Sequence, residues 1–226
     1  MTRTTNARLA GIAYLVYIAA AFPAMVISNR ATAGDTIAVR LANMAQHAFD
    51  VRLAAVLSLV GCFCALVLAV TLYAITRVQD RDLAMLGLTC RVAEGVTGGT
   101  GLAATLALLS IVTATGASNA PDVPATQTLA AFLFADTVFI AATFFAVGST
   151  IFSWLLLRGR MVPAWLAGLG VAGSALAAVA MVLEALHVLS SSIAQLTWAP
   201  VAVFEVVVAV WFIVKGVRDP DMAHVR

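Results

Sequence analysis

Long apolar stretches alternate with short polar ones along the whole chain. The apolar segments cover residues 9–27, 51–77, 83–113, 129–157, 163–189 and 196–216. A helix needs about 20 largely apolar residues to cross a bilayer, and each segment is close to that length or longer. The pattern predicts an all-α fold, a single domain over residues 1–226 built as an integral membrane bundle of six transmembrane helices.

The longest polar link lies between the first two segments. Within it Ile37, Leu41, Met44 and Ala48 recur at helical spacing, with polar residues on the opposite face. An apolar stripe on an otherwise polar helix favours a position at the membrane interface. We therefore expect a short amphipathic surface helix in this first outer loop.

Composition supports a membrane protein. The chain is 62% hydrophobic and 11% charged, whereas soluble domains are about 45–50% apolar and about 25% charged. We therefore expect the protein to lie in a lipid bilayer. The net charge of +2 is small and dispersed, which argues against a nucleic-acid partner. The cysteines fall inside apolar segments and predict buried hydrophobic residues rather than a disulfide framework.

Basic residues are divided unequally between the two sides of the predicted membrane. One side collects Arg3, Arg8, Arg77, Arg81, Arg158, Arg160, Lys215, Arg218 and Arg226, and the other has Arg30, Arg40 and Arg52. Cytoplasmic loops are enriched in Lys and Arg. Both termini are therefore expected in the cytoplasm, with the first apolar segment retained as an uncleaved helix.

Three ionisable residues lie deep inside the apolar segments. Arg91 and Glu94 lie three residues apart in the third segment and so project from one face of a helix. At 1.5 Å per residue, Glu94 and also Glu205 in the sixth segment fall near the membrane midplane. Each costs about 2.5–3.5 kcal/mol to insert at a helix centre. Two interpretations stay open: Arg91 clamps the third helix to the sixth, or a carboxylate meets protons, a cation or a polar headgroup.

A glycine run follows the charged pair, with Gly95, Gly98, Gly99 and Gly101. Small residues let membrane helices approach each other closely. Interrupted helices, by contrast, often mark binding sites in transporters. The run therefore predicts either helix packing or a break in the third helix.

A second polar group gathers towards the outer face, with His47, Asp136, Glu184 and His187. Glu184 and His187 form a Glu-x-x-His motif, the spacing used for metals in four-helix carboxylate proteins. No cofactor is predicted, but a zinc-like ion with three or four of these ligands is an alternative. Phosphate-binding loops and dinucleotide fingerprints are absent from the sequence, so an enzyme is disfavoured.

Several motifs carry a family resemblance. They are Arg8 to Tyr14 (Arg-Leu-Ala-Gly-Ile-Ala-Tyr), Leu72-Tyr73 with Arg77, Arg91-Val-Ala-Glu94, and Glu205 followed by Trp211 and Lys215-Gly216. Over almost its whole length the chain resembles a bacterial multi-pass inner-membrane family catalogued as a domain of unknown function (DUF4386 type). The resemblance implies a bacterial cytoplasmic (inner) membrane protein of about six helices. It brings no activity, ligand or catalytic residue.

Three functional classes remain. The first binds or carries a small polar or amphiphilic molecule, a lipid or protons around Arg91, Glu94 and Glu205. The second is a non-catalytic accessory or structural membrane subunit, and the third is an intramembrane metal-dependent enzyme that uses the outer His, Asp and Glu group. A homo-oligomer is compatible with each of them.

Overall fold

The computed structural model describes residues 2–114, 123–134 and 138–218. Within these ranges the chain forms helices joined by short turns. They are α1 (Arg3–Ala31), α2 (Ile37–Gln46), α3 (Ala48–Thr76), α4 (Arg81–Thr113), α5 (Val123–Phe134), α6 (Val138–Arg158), α7 (Ala164–Ala185), α8 (Ser191–Leu196) and α9 (Trp198–Val214).

Membrane-length helices make up most of the described chain. Six units are long and apolar enough to span a bilayer: α1, α3, α4, α6 from Phe139 onwards, α7, and α8 together with α9. The predicted all-α bundle with six membrane helices is confirmed. The protein is a multi-pass membrane protein by the length and composition of these helices.

The spanning helices form a closed ring. α1 packs against α3, α3 against α4, α4 against α6, α6 against α7 and α7 against α9, and α9 returns to α1. In this order α4 lies across the ring from α9. Side chains that point inwards from these two helices therefore meet at the centre of the bundle, although the helices are not neighbours in the ring.

Close approaches fix α9 between its two neighbours. A Cβ added to Gly11 of α1 would lie 2.6 Å from the carbonyl oxygen of Ala209 on α9. A Cβ added to Gly170 of α7 would lie 2.6 Å from Cε2 of Phe204, also on α9. Both distances are shorter than a real Cβ tolerates, so glycine lets the α1 and α9 backbones come together at Gly11 and makes room for the Phe204 ring at Gly170.

The predicted amphipathic helix between the first two apolar segments is α2. It starts at Thr36, whose hydroxyl oxygen accepts a hydrogen bond from the backbone N–H of Val39 at 3.3 Å, a common N-cap arrangement. Its apolar side chains Leu41 and Met44 are buried in a cluster with residues of α4 such as Leu108. The apolar face of α2 therefore packs against the spanning helices at one end of the bundle.

Two of the predicted apolar segments each include parts of two described helices. The segment predicted over residues 129–157 contains the end of α5 and all of α6 except its last residue, with residues 135–137 outside the described ranges. The segment predicted over 196–216 begins at the last residue of the short α8, and α9 starts at Trp198. A continuous apolar run fixes how much chain is buried in lipid but carries no signal for where one helix ends.

Candidate functional site

The predicted charged pair lies on the inward face of α4. Arg91 is 0% exposed and Glu94 is 6% exposed. Nη1 of Arg91 lies 3.0 Å from Oε2 of Glu94, an ion pair between residues three apart on one helix. This separation places both groups on the same side of α4, as the sequence predicted.

Residues of α6 and α1 surround the guanidinium group. The Arg91 Cζ atom lies 4.7 Å from the ring centroid of Phe145 and 6.0 Å from that of Tyr17. Both distances are within the range of a cation–π contact. A Cβ at Gly148 would lie 3.3 Å from the Arg91 Cγ and Cδ atoms, so this glycine gives the arginine stem room against α6.

Glu205 reaches the same centre from α9. It is 6% exposed, and it interacts electrostatically with both Arg91 and Glu94. The structure therefore brings the three predicted charged residues into one cluster, with two acids and one base. When all three are ionised, the cluster carries a net charge of −1.

Hydrogen bonding in this cluster is incomplete. Nε and Nη2 of Arg91 and Oε1 of Glu205 are buried and have no hydrogen-bond partner among the described residues. Buried polar atoms in proteins are usually paired, and exceptions require an explanation. A cluster built only to stabilise the bundle would be expected to satisfy these atoms.

Glu94 also has a second partner, outside the ion pair. The Tyr17 hydroxyl of α1 donates a hydrogen bond to Oε1 of Glu94 at 3.2 Å. The two oxygens of this carboxylate are thus held by different helices, Oε2 by Arg91 of α4 and Oε1 by Tyr17 of α1. The position of the carboxylate is therefore fixed between α1 and α4.

A partly open cavity of about 460 Å³ begins at this carboxylate. Its walls come from α1, α3 and α4, with Ala141 of α6 as a further contact. Glu94 and Tyr17 line one end, and Asn29 and Val51 line the other, at the end of the bundle where α2 lies. Binding sites for drug-sized molecules have volumes of about 300–1,000 Å³, so this cavity is large enough for a small ligand.

Small apolar residues form most of the cavity wall. Alanines such as Ala21 and Ala54 line it, and glycines Gly61, Gly98 and Gly101 add surface without side chains. Glu94 is the one charged residue among its described lining residues; Arg91 and Glu205 do not line it. The cavity therefore combines an apolar body with a single acidic end.

The glycine run has more than one role. α4 is continuous from Arg81 to Thr113, so the run does not break the helix. A Cβ at Gly95 would lie 3.2 Å from the carbonyl oxygen of Cys62, which indicates close packing of α4 on α3. Gly98 and Gly101 line the cavity, and a Cβ at Gly99 would have no neighbour within 4 Å.

The described residues of the predicted metal group do not form a metal site. His47 and His187 are exposed, and Nδ1 of His47 lies 3.0 Å from the backbone carbonyl of Asn43. Asp136 lies outside the described residues. In the described part of the chain, no three His, Cys, Asp or Glu residues are grouped to hold a metal ion, Glu184 included. A site that includes Asp136 stays a prediction.

Sequence reasoning missed the residues that complete the cluster. Tyr17 binds the Glu94 carboxylate, and Phe145 and Gly148 surround Arg91. A signal for Tyr17 was present, because a tyrosine near the middle of an apolar segment lies away from the interface where tyrosines are usually found. Phe145 and Gly148 are three residues apart and so share one face of α6, but many other pairs in this segment have the same spacing.

Comparison with known proteins places the chain in a family. Searches of the curated proteins and of the solved structures returned no match. One family model, described as "Domain of unknown function (DUF4386)", matches residues 9–216. The match covers all six membrane-length units and includes Arg91, Glu94 and Glu205. This protein therefore belongs to the DUF4386 family, as the sequence motifs indicated.

Proposed function

We propose that the protein binds a small amphiphilic molecule in the cavity bounded by α1, α3 and α4. The observation that carries the proposal is the position of Glu94, a buried carboxylate at the inner end of a cavity of about 460 Å³. An ionisable group in a membrane interior usually marks a functional site. Here the group opens onto a space in which a ligand can sit.

The character of the cavity favours a ligand with an apolar body and one polar end. Burial of apolar surface contributes about 25 cal/mol per Å², and the alanine and glycine wall offers such surface along most of the cavity. Specificity in sites of this kind comes from a few fixed polar groups. Tyr17 and Glu94 supply them at one end, held to each other by a hydrogen bond.

We also propose that the cavity opens towards the outer face of a bacterial cytoplasmic membrane. Support comes from the unequal distribution of basic residues, which favours cytoplasmic termini. In that orientation the α2 end of the bundle, where Asn29 and Val51 line the cavity, faces outwards. A ligand would then enter from the outer leaflet or from the space beyond it.

A structural role is the second candidate. It is favoured by the complete burial of Arg91 beside Glu94 and by the hydrogen bond from Tyr17 of α1 to Glu94 of α4, because contacts of this kind hold helices together. In that case the protein is an accessory membrane subunit, and the cavity has no specific occupant. The two candidates differ in whether blocking the cavity changes ligand binding.

The test uses a cavity-blocking variant and a matched control. Ser58 of α3 lines the cavity, whereas the next residue, Leu59, does not line it and is 44% exposed. The probes are phenylbutylamine, phenylbutanol, phenylbutyrate and phenylbutyltrimethylammonium, which share one apolar body. Binding to protein in lipid nanodiscs is measured by calorimetry for wild type, Ser58→Phe and Leu59→Phe.

We expect at least one probe to bind wild type and Leu59→Phe with the same affinity, and to lose that binding in Ser58→Phe. The reason is that a phenylalanine ring at position 58 fills the space between α1, α3 and α4. If no probe binds, or if Ser58→Phe binds as well as wild type, the binding function is contradicted and the structural role is favoured.

A further inference from the structure

We propose that the ligand is a protonated amine with at least one N–H group, and that this group binds next to Glu94 at the inner end of the cavity. The inference rests on the binding function proposed above and specifies the chemical class of the ligand. It follows from the hydrogen-bonding capacity, the charge and the shape of the inner end of the cavity, which are taken in turn.

The inner end of the cavity offers hydrogen-bond acceptors. The proton of the Tyr17 hydroxyl is donated to Glu94 at 3.2 Å. The Thr97 hydroxyl donates to the backbone carbonyl of Ala93 at 2.7 Å. Both hydroxyl groups thus use their protons within the protein, and their oxygens retain lone pairs. An ionised carboxylate is an acceptor only, so a ligand group that binds at this end has to be a donor.

Charge selects a cation among the donors. The buried cluster carries one base and two acids, Arg91, Glu94 and Glu205, so its net charge is −1 when all are ionised. Arg91 is fully buried and does not line the cavity, which means that the ligand meets the carboxylate and not the guanidinium. A monovalent cation neutralises the cluster, whereas an anion adds a like charge in a medium of low dielectric constant.

The acceptor geometry favours an N–H cation over a quaternary ammonium group. Glu94 and Thr97 lie three residues apart on α4 and both line the cavity, so their acceptor oxygens face it from one side of the helix. A primary ammonium group has three N–H donors and can bond to several such acceptors at once, with charge-assisted hydrogen bonds. A trimethylammonium group has the same charge but no donor, and it leaves these acceptors unpaired.

The probes with one phenylbutyl body separate these alternatives. We expect wild type in nanodiscs to bind phenylbutylamine about ten-fold or more tighter than phenylbutanol, because both can donate a hydrogen bond to Glu94 but only the ammonium group also brings a compensating positive charge. Phenylbutyltrimethylammonium and phenylbutyrate should also bind more weakly than the amine, and phenylbutyrate the most weakly of the four.

Two variants assign the preference to the inner end. Glu94→Gln removes the negative charge but keeps an acceptor for Tyr17, and it should abolish the preference for the amine over the alcohol. Thr97→Val removes one acceptor with little change in shape, and it should weaken amine binding more than alcohol binding. Gel filtration and thermal unfolding check that each variant is folded, and Thr97→Val decides the assignment if Glu94→Gln does not fold.

The outcomes separate this inference from the binding function on which it rests. If all four probes bind equally well and Ser58→Phe blocks them, the cavity binds amphiphiles, but the inference is overturned. If Glu94 carries a proton and is neutral, amine and alcohol should bind equally well, and this result also overturns the inference. Tightest binding of phenylbutyrate overturns the inference as well. If no probe binds, the binding function itself is contradicted.

Discussion

At the scale of single residues, the positive charge of Arg91 interacts with two buried carboxylates, those of Glu94 and Glu205. Glu94 lies on the same helix at 3.0 Å, and Glu205 interacts with the guanidinium from α9 across the ring. The three residues are therefore not equivalent. Removing the base leaves two acids without a counter-charge, whereas removing Glu205 leaves the Arg91–Glu94 ion pair in place.

We predict that Arg91→Met destabilises the protein more than Glu205→Gln. Breaking a buried ion pair by removing one partner costs about 3–5 kcal/mol, while Glu205→Gln leaves the Arg91–Glu94 ion pair in place and should cost less. Reversible unfolding in mixed micelles of one composition measures the free energy of unfolding of each variant.

The control for this comparison is Arg77→Met. Arg77 is exposed at the end of α3, with its Cζ atom 5.9 Å from the ring centroid of Tyr73. Exposed charged contacts of this kind contribute little, so we expect a loss of at most about 1 kcal/mol. Equal losses for Arg91→Met and Glu205→Gln would contradict the description of Arg91 as the shared partner of both acids.

At the scale of helices, contacts between α1 and α9 close the ring. Gly11 is a point of close approach in this interface, and a Cβ there would be 2.6 Å from the Ala209 carbonyl oxygen. Because the neighbouring atom belongs to the backbone of a helix, it can move only if the whole helix moves. The ring therefore depends on glycine at this position.

We predict opposite effects for two glycine substitutions. Gly11→Ala should lower the free energy of unfolding by about 1–3 kcal/mol, the usual cost of overpacking. Gly99→Ala should be neutral or should raise stability by up to about 1 kcal/mol, since alanine favours helix and its Cβ has no neighbour within 4 Å. Thermal unfolding in one detergent compares the two. A stable Gly11→Ala protein would show that α1 and α9 are less closely packed than the structure indicates.

The helices also show what the sequence could and could not predict. Hydropathy predicted the spanning segments, because burial in lipid requires long apolar runs whatever the neighbours are. It also predicted one helix over residues 129–157, in which α5 ends at Phe134 and α6 begins at Val138, with residues 135–137 outside the described ranges. It gave no sign that the short α8 precedes α9, because hydropathy carries no information about where one helix ends inside an apolar run.

The candidate site was predictable only in part. Arg91, Glu94 and Glu205 were identifiable because charged residues are rare and costly in apolar segments. The cavity and the roles of Tyr17 and Gly148 were not, because they depend on how each helix is rotated about its axis relative to its neighbours. Spacing along one helix shows which residues share a face, but not which other helix that face meets.

At the scale of the whole molecule, the cavity runs from the centre of the bundle towards the end where α2 lies. Glu94 and Tyr17 lie at its inner end, and residues at the α2 end of the bundle line the other. If the proposed orientation holds, the cavity opens away from the cytoplasm.

We predict that a cysteine in place of exposed Asp35, before α2, reacts with a membrane-impermeant maleimide in intact cells. A cysteine in place of Val78, which is 41% exposed after α3, should react only after the membrane is permeabilised. Both variants are made in a chain whose native cysteines are replaced by alanine, and that parent chain is the unlabelled control. The reverse labelling pattern would place both termini outside and the open end of the cavity at the cytoplasm.

The central claim is that the space next to Glu94 holds the ligand. The most direct measurement is the anomalous X-ray signal of a phenylbutylamine with bromine on its ring, diffused into crystals of the protein grown in a lipid phase. The account predicts one bromine site among α1, α3 and α4, with the amine nitrogen within hydrogen-bond distance of the Glu94 carboxylate. A bromine site on the lipid-facing surface, with nothing bound beside Glu94, would contradict it.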